Sequence, residues 1–154
     1  GGATIVQVRE KDCDGGLFYS RAQEALTACR AGGVTLVIND RIDVALALGP
    51  DVGVHVGQGD MPVHLVRKLL GPGRLLGVSC KCVAHVELAA AQGADYAGTG
   101  AVFPTKTKDS PVLGVEGLAT VCRAATIPVV AIGGVGASTA RQLVLEAGAA
   151  GGAG

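Results

Sequence analysis

Short β-branched runs alternate with longer alanine- and leucine-rich stretches along the whole chain. The runs are TIVQV (4–8), VTLVIN (34–39), VGVHV (52–56), RLLGVS (74–79), ADYAGTG (94–100) and PVVAIGG (128–134). The stretches after them carry helical spacing and predict helices over roughly 17–31, 41–48, 62–70, 83–92, 115–124 and 138–147. Several of these close on glycine, as AGG at 31–33, LG at 48–49 and QG at 92–93 do, where a left-handed helix stop belongs. Six β-then-α units with strands apolar on both faces predict a parallel sheet covered by helices.

Two architectures fit that alternation, a closed β/α barrel of the TIM type and an open doubly wound sheet. Polar residues separate them. They collect at the C-terminal end of each predicted strand: Arg9 and Lys11, Asn39 and Asp40, Gln58 and Asp60, Ser79, then Thr105 to Lys108. A barrel brings all those ends to one mouth, whereas an open sheet concentrates its site at one switch point. IGGVGA at 132–137 lacks the GxGxxG spacing and follows the last strand instead of the first. The pattern favours the barrel.

Bulk properties narrow the function classes. A chain of 154 residues, 49% hydrophobic and 17% charged, is read as one folded domain, 1–154. Its formal net charge of zero removes the bulk argument for nucleic acid or an anionic membrane, so any anion site must be local. No apolar run reaches the ~18 residues of a membrane span. The five cysteines lack CxxC spacing and fit a reducing, cytoplasmic setting, or a plastid in a photosynthetic eukaryote.

Three stretches carry candidate chemistry. In QVREK, Gln7, Arg9 and Lys11 fall at i, i+2 and i+4 and share a face if the strand runs through them; if it ends near Val8 the charges are solvated. Asp40 and Asp60 follow two consecutive strands, and paired acids without a histidine suit Mg²⁺, which takes one or two carboxylates plus phosphate oxygens. Helix capping competes with that reading, since each precedes a predicted helix and Pro62 marks a helix start. In FPTKTKDSP, Thr105 and Thr107 can donate hydroxyls to an anion, and Lys106 or Lys108 can meet it as a point charge. Gly133 and Gly134 add bare backbone amides at the next strand end. None of His55, His64 and His85 sits beside a serine or cysteine nucleophile, and no serine lies in a GxSxG elbow. Acyl-transfer hydrolysis is therefore not expected.

In VQVREK, INDRIDVALALGPDVGVHVGQGDMP, GVSC, GADYAGTGAVFPTKTK and IPVVAIGGV, in that order, the chain resembles the thiamine-phosphate synthase and thiazole tautomerase superfamily. The resemblance implies a β/α barrel that joins hydroxymethylpyrimidine diphosphate to hydroxyethylthiazole phosphate with Mg²⁺ and releases pyrophosphate. Carried over residue by residue, it makes Gln7, Arg9, Lys11, Asn39 and Lys108 diphosphate or pyrimidine contacts, and Asp40 and Asp60 metal ligands. Ser79 lies beside the departing diphosphate and, with Arg9 and Lys108, forms the catalytic set. Thr105, Thr107 and Gly134 hold the thiazole phosphate. A tautomerase, or a non-catalytic phosphate-ligand module, is the competing expectation, and a homo-oligomer or a fused pyrimidine kinase domain the expected partner.

Against the family pattern, the visible runs correspond to strands two to seven of eight. A first strand is not seen, and AGAAGGAG stands where an aspartate and an apolar eighth strand are expected, with Ala150 at the aspartate's place. The expectation is a barrel lacking its first and eighth strands, with weak activity unless those strands come from a longer chain or a partner.

Overall fold

The computed structural model describes residues 2–105 and 111–154. The chain divides into two compact units, one ending at Leu76 and one running Gly77–Gly154.

In the first unit, β1 (Ile5–Val8), α1 (Gly15–Gly32), β2 (Thr35–Asn39), α2 (Ile42–Leu48), β3 (Gly53–Val56) and α3 (Val63–Leu70) alternate without interruption. The strands are parallel, with β2 between β1 and β3, in a register that sets Val8 beside Ile38 and Asn39 beside His55. Leu36, Val37, Ile38, Val54 and Val56 are fully buried, as the β-branched composition requires of a sheet covered on both faces. Phe18, Ala22 and Leu26 of α1 recur at i, i+4 and i+8 and are buried along one stripe. Asp14 caps this helix by accepting from Leu17 N at 2.8 Å, which starts it two residues before the predicted boundary. Gly33, at φ 64°, ends it in the left-handed conformation that its sequence position foretells.

The second unit holds β4 (Leu76–Cys80), α4 (Val83–Ala91), β5 (Tyr96–Thr99), α5 (Gly114–Ala124), β6 (Val129–Ile132), α6 (Ala137–Ala147) and β7 (Gly151–Ala153). β4 to β7 pair in chain order and in parallel, with Ser79 beside Gly98 and Thr99 beside Ala131. Neither unit shows the reversal of strand order that marks an open doubly wound sheet.

Among the described residues the six-strand expectation is corrected to seven. A short strand does follow α6, where the eighth strand was expected to be missing: Val130, Ala131 and Ile132 pair with Gly151, Gly152 and Ala153. A run of glycine and alanine has no alternation of side chains to read, so only its main-chain bonds reveal it. Gly152 also lies close under α6, since a Cβ there would come within 2.9 Å of Val135 Cγ1 and 3.3 Å of Ala140 Cβ. Of the two paths open for QVREK, the structure takes the one in which the strand ends at Val8, so Arg9 and Lys11 do not continue its face with Gln7.

Candidate functional site

Beyond Val8 the chain leaves the sheet and passes the end of β2, and this crossing builds the site. Arg9 and Lys11 come from the β1 side and Asn39 and Asp40 from the β2 end; together with Glu10, Cys13 and Arg41 they line one pocket. Gln7 remains exposed on β1 and does not line it. Four of the expected residues of the first unit, Arg9, Lys11, Asn39 and Asp40, are thus brought together, by the loop after Val8 and not by a strand face.

Asp40 occupies an unusual backbone position, with φ at 60°. Its amide donates to His55 O across the sheet at 2.9 Å, and its carboxylate receives Lys11 Nζ on one oxygen and Asn39 Nδ2 on the other. No part of that carboxylate caps α2, whose N-cap is Arg41. Asp60 belongs to the turn after β3, where its Oδ2 accepts from Gly57 N at 2.7 Å. The helix that follows is preceded by Pro62 and makes no side-chain cap bond. Helix capping therefore accounts for neither acid.

Charge in the pocket is set by its neighbours. Three cations, Arg9, Lys11 and Arg41, face two acids, Glu10 and Asp40. Glu10 is engaged by Arg21 Nη1 at 2.6 Å, which draws its charge away from the pocket. Lys11 is half exposed whereas Asp40 is only 18% exposed, so the ammonium has freedom that the carboxylate lacks. A cation already sits on Asp40, which shows that this carboxylate accepts positive charge where it stands. Among the described residues no group of three or more His, Cys, Asp or Glu could hold a metal, so a cation here has two carboxylates at most and would draw its other ligands from water and substrate. The donor set, hard oxygens at the ends of neighbouring parallel strands, fits Mg²⁺ and not zinc.

His55 behaves as core. It is 6% exposed on β3, and burial lowers its pKa to about 4, Asp60 opposing this slightly, so its ring is neutral at physiological pH. His64 and His85 lie on α3 and α4. All five cysteines are free.

The second unit supplies Ser79, half-buried on β4, Thr105, half-buried after β5, and Gly134, after β6. Gly134 has φ 68°, and a Cβ there would lie 2.7 Å from Phe103 Cβ and 2.8 Å from Pro104 O. Phe103 N also donates to Gly133 O at 3.0 Å. The glycine pair thus lets the segment leading into Thr105 press against the β6 end, a packing role that the sequence did not reveal. Thr107 and Lys108 lie outside the described residues.

Arg41, Glu10 and Cys13 are pocket residues that the sequence reading passed over. Periodicity makes Arg41 the first residue of the helix RIDVALAL, whereas in the structure it is the N-cap and the helix starts at Ile42. The signal available for it was its place directly after Asn39–Asp40, at the turn between a strand end and a helix start.

The profile described as thiamine monophosphate synthase matches residues 1–154. Among similar proteins, a rice protein named "Probable thiamine biosynthetic bifunctional enzyme, chloroplastic" is 56% identical over 94% of this chain, which spans 26% of that relative. An Enterococcus faecalis thiamine-phosphate synthase is 46% identical over 93% of the chain, covering 67% of the relative. The solved thiamine phosphate pyrophosphorylase from Pyrococcus furiosus superposes with a TM-score of 0.88 at 36% identity, over all of this chain and 73% of that one. The chain therefore spans about a quarter of the plant relatives' length and about two thirds of the bacterial ones. With its β/α order, its pocket and its whole length inside the profile, the chain belongs to the thiamine monophosphate synthase family.

Proposed function

We propose that the chain couples hydroxymethylpyrimidine diphosphate with hydroxyethylthiazole phosphate to give thiamine phosphate and pyrophosphate. The observation that carries this reading is the pocket of Arg9, Lys11, Asn39 and Asp40, in which the Asp40 carboxylate is not spent on a helix cap; Asp60, after the next strand, is outside that lining and caps no helix either. Arg9 and Lys11 bind the diphosphate and stabilise the charge that grows on it as its bond to the pyrimidinylmethyl carbon breaks. Asp40 and Asp60 are the residues that would hold Mg²⁺, which when bound neutralises diphosphate oxygens. Lys11 is free to leave Asp40 for the substrate, being the more exposed of the pair. The thiazole nitrogen then captures the pyrimidinylmethyl cation with its own lone pair, so no general base is required and the site's task is to hold two rings in contact. This accounts for a pocket rich in cations and acids in a chain whose one buried histidine is neutral and structural.

Ser79 and Lys108 complete the diphosphate contacts, Gln7 joins them on the pyrimidine side, and Thr105, Thr107 and Gly134 receive the thiazole phosphate. The parallel, consecutive strand order supports a β/α barrel, of which these strands form the greater part. β1 is open on both sides, with the successive residues Ile5 at 40% and Val6 at 36% exposure, which supports further chain packing there. A reducing compartment fits the free thiols, and the plant relatives are named chloroplastic.

Calorimetric titration with the pyrimidine diphosphate, with and without Mg²⁺, followed by a coupling assay tests the reading. Mg²⁺-dependent binding and product are expected. Binding without product, in a chain extended to the length of its bacterial relatives, would make this a ligand-binding module instead.

A further inference from the structure

The turn that presents Asp40 is doubly tight. Arg41 N donates to Asn39 O at 2.7 Å around Asp40 at φ 60°, and Ile42 N donates to Asp40 O at 3.0 Å around Arg41 at φ −83° and ψ 81°. The first has the bond and the φ of a γ-turn of the rare, strained hand; the second is an inverse γ-turn. Two successive three-residue turns aim the Asp40 carboxylate at Lys11 and Asn39. A conformation of this kind persists only where its surroundings hold it.

On its strand side the turn is fixed by the bond from Asp40 N to His55 O. On its helix side the fixing falls to the Arg41 side chain. Nε and Nη2 donate to the two oxygens of Asp43 at 2.9 and 2.6 Å, a planar fork that lysine cannot reproduce. The guanidinium carbon stands 5.9 Å from the ring centroid of Phe18, which is 1% exposed and packed in the core. Gly15 leaves room for it, since a Cβ there would come within 3.0 Å of Nη2. Arg41 is thus anchored to both α1 and α2 while its backbone forms half of the strained turn.

We propose that Arg41 is a positioning residue: clamped by Asp43 and Phe18, it holds the Asn39–Asp40–Arg41 turn so that the Asp40 carboxylate faces the pocket as a cation ligand. The inference rests on the reading of Asp40 as that ligand. It makes a claim that reading does not, namely that the geometry of Asp40 depends on a side chain making its own bonds elsewhere.

Two measurements test it. In the first, Mn²⁺ is titrated into the protein and free Mn²⁺ is followed by electron paramagnetic resonance. Arg41→Gln and Asp43→Asn should each weaken Mn²⁺ binding by about tenfold or more, as loss of a ligand's orienting partner does. Asp43→Glu, which retains a carboxylate for the fork, should recover most of the affinity. In the second, urea midpoints are compared in a double-mutant cycle with Asp40→Gly, which adopts positive φ without strain. Arg41→Gln should lower the midpoint clearly less in the Asp40→Gly background than in the natural one. Wild-type Mn²⁺ affinity in Arg41→Gln, or equal midpoint losses in the two backgrounds, would overturn the proposal. So would weakened pyrophosphate binding with Mn²⁺ affinity unchanged, which would make Arg41 an anion contact. If the natural chain binds no Mn²⁺, the ligand reading of Asp40 fails, and the cycle still decides whether Arg41 holds the turn.

Discussion

Asp40 and Asp60, the acids of the proposed cation site, can be tested one residue at a time. Neither caps a helix, so Asp40→Ala and Asp60→Ala should lower turnover by orders of magnitude and raise the Mg²⁺ concentration needed, while stability falls by only about 1–3 kcal/mol from the lost bonds of Lys11 and Asn39 to Asp40 and of Gly57 N to Asp60. Kinetics across a Mg²⁺ series, beside urea unfolding of the same variants, checks both halves. His55 makes a different prediction. Its folded pKa of about 4 lies below the ordinary 6.5, so below pH 6.5 the unfolded chain takes up a proton that the folded chain refuses. Stability from this residue is full above pH 6.5 and falls as pH drops toward 4; the loss at pH 5 is about 2 kcal/mol. Unfolding midpoints at pH 7 and pH 5 should differ in the natural chain and converge in His55→Gln. The acids with lowered pKa, Asp43 and Asp51, titrate below this window and leave it to the histidine.

At the scale of the elements, close approaches fixed by glycine decide what can be changed. Gly77 on β4 lies beneath the ring of Tyr96 on β5, its register partner, and an added Cβ would stand 2.1 Å from Tyr96 Cζ. Gly77→Ala should therefore cost about 1–3 kcal/mol as the ring is forced aside, measurable by urea unfolding. Gly134 combines positive φ with contact against Phe103 and Pro104. Gly134→Ala should push the segment before Thr105 away from the β6 end and raise the KM for the thiazole phosphate more than that for the pyrimidine diphosphate. An equal rise in both would place the effect on general folding and not on this loop.

For the whole molecule, the exposed β1 is the feature with consequences. It has β2 as its one neighbour in the strand order, and Ile5 and Val6 are exposed. An edge strand with unpaired backbone groups and exposed apolar side chains promotes association. The 154-residue chain should self-associate with rising concentration in light scattering, and Val6→Lys should suppress this. Extending the chain to the length of its bacterial relatives should remove the association and raise coupling activity together. Full turnover by the 154-residue monomer would show that β1 needs no further partner.

Periodicity alone determined the six longer strands, the six helices and their parallel order, because side chains with a buried face must recur at the period of their element. The glycine and proline punctuation placed most helix ends within two residues, as Gly33 and Pro62 show. The sequence also singled out Arg9, Lys11, Asn39 and Asp40, by their place at the ends of predicted strands, and these line one pocket. What it could not supply was the path by which they meet. β1 ends at Val8, and the loop beyond it, not a strand face, carries Arg9 and Lys11 to Asp40. Nor could it find β7, a strand without side-chain pattern, or decide whether two acids that precede helices cap them. Those outcomes depend on which backbone amide lies within about 3 Å of a carboxylate oxygen. A linear sequence records the identity of a donor and an acceptor, and only the folded chain sets the distance and angle between them.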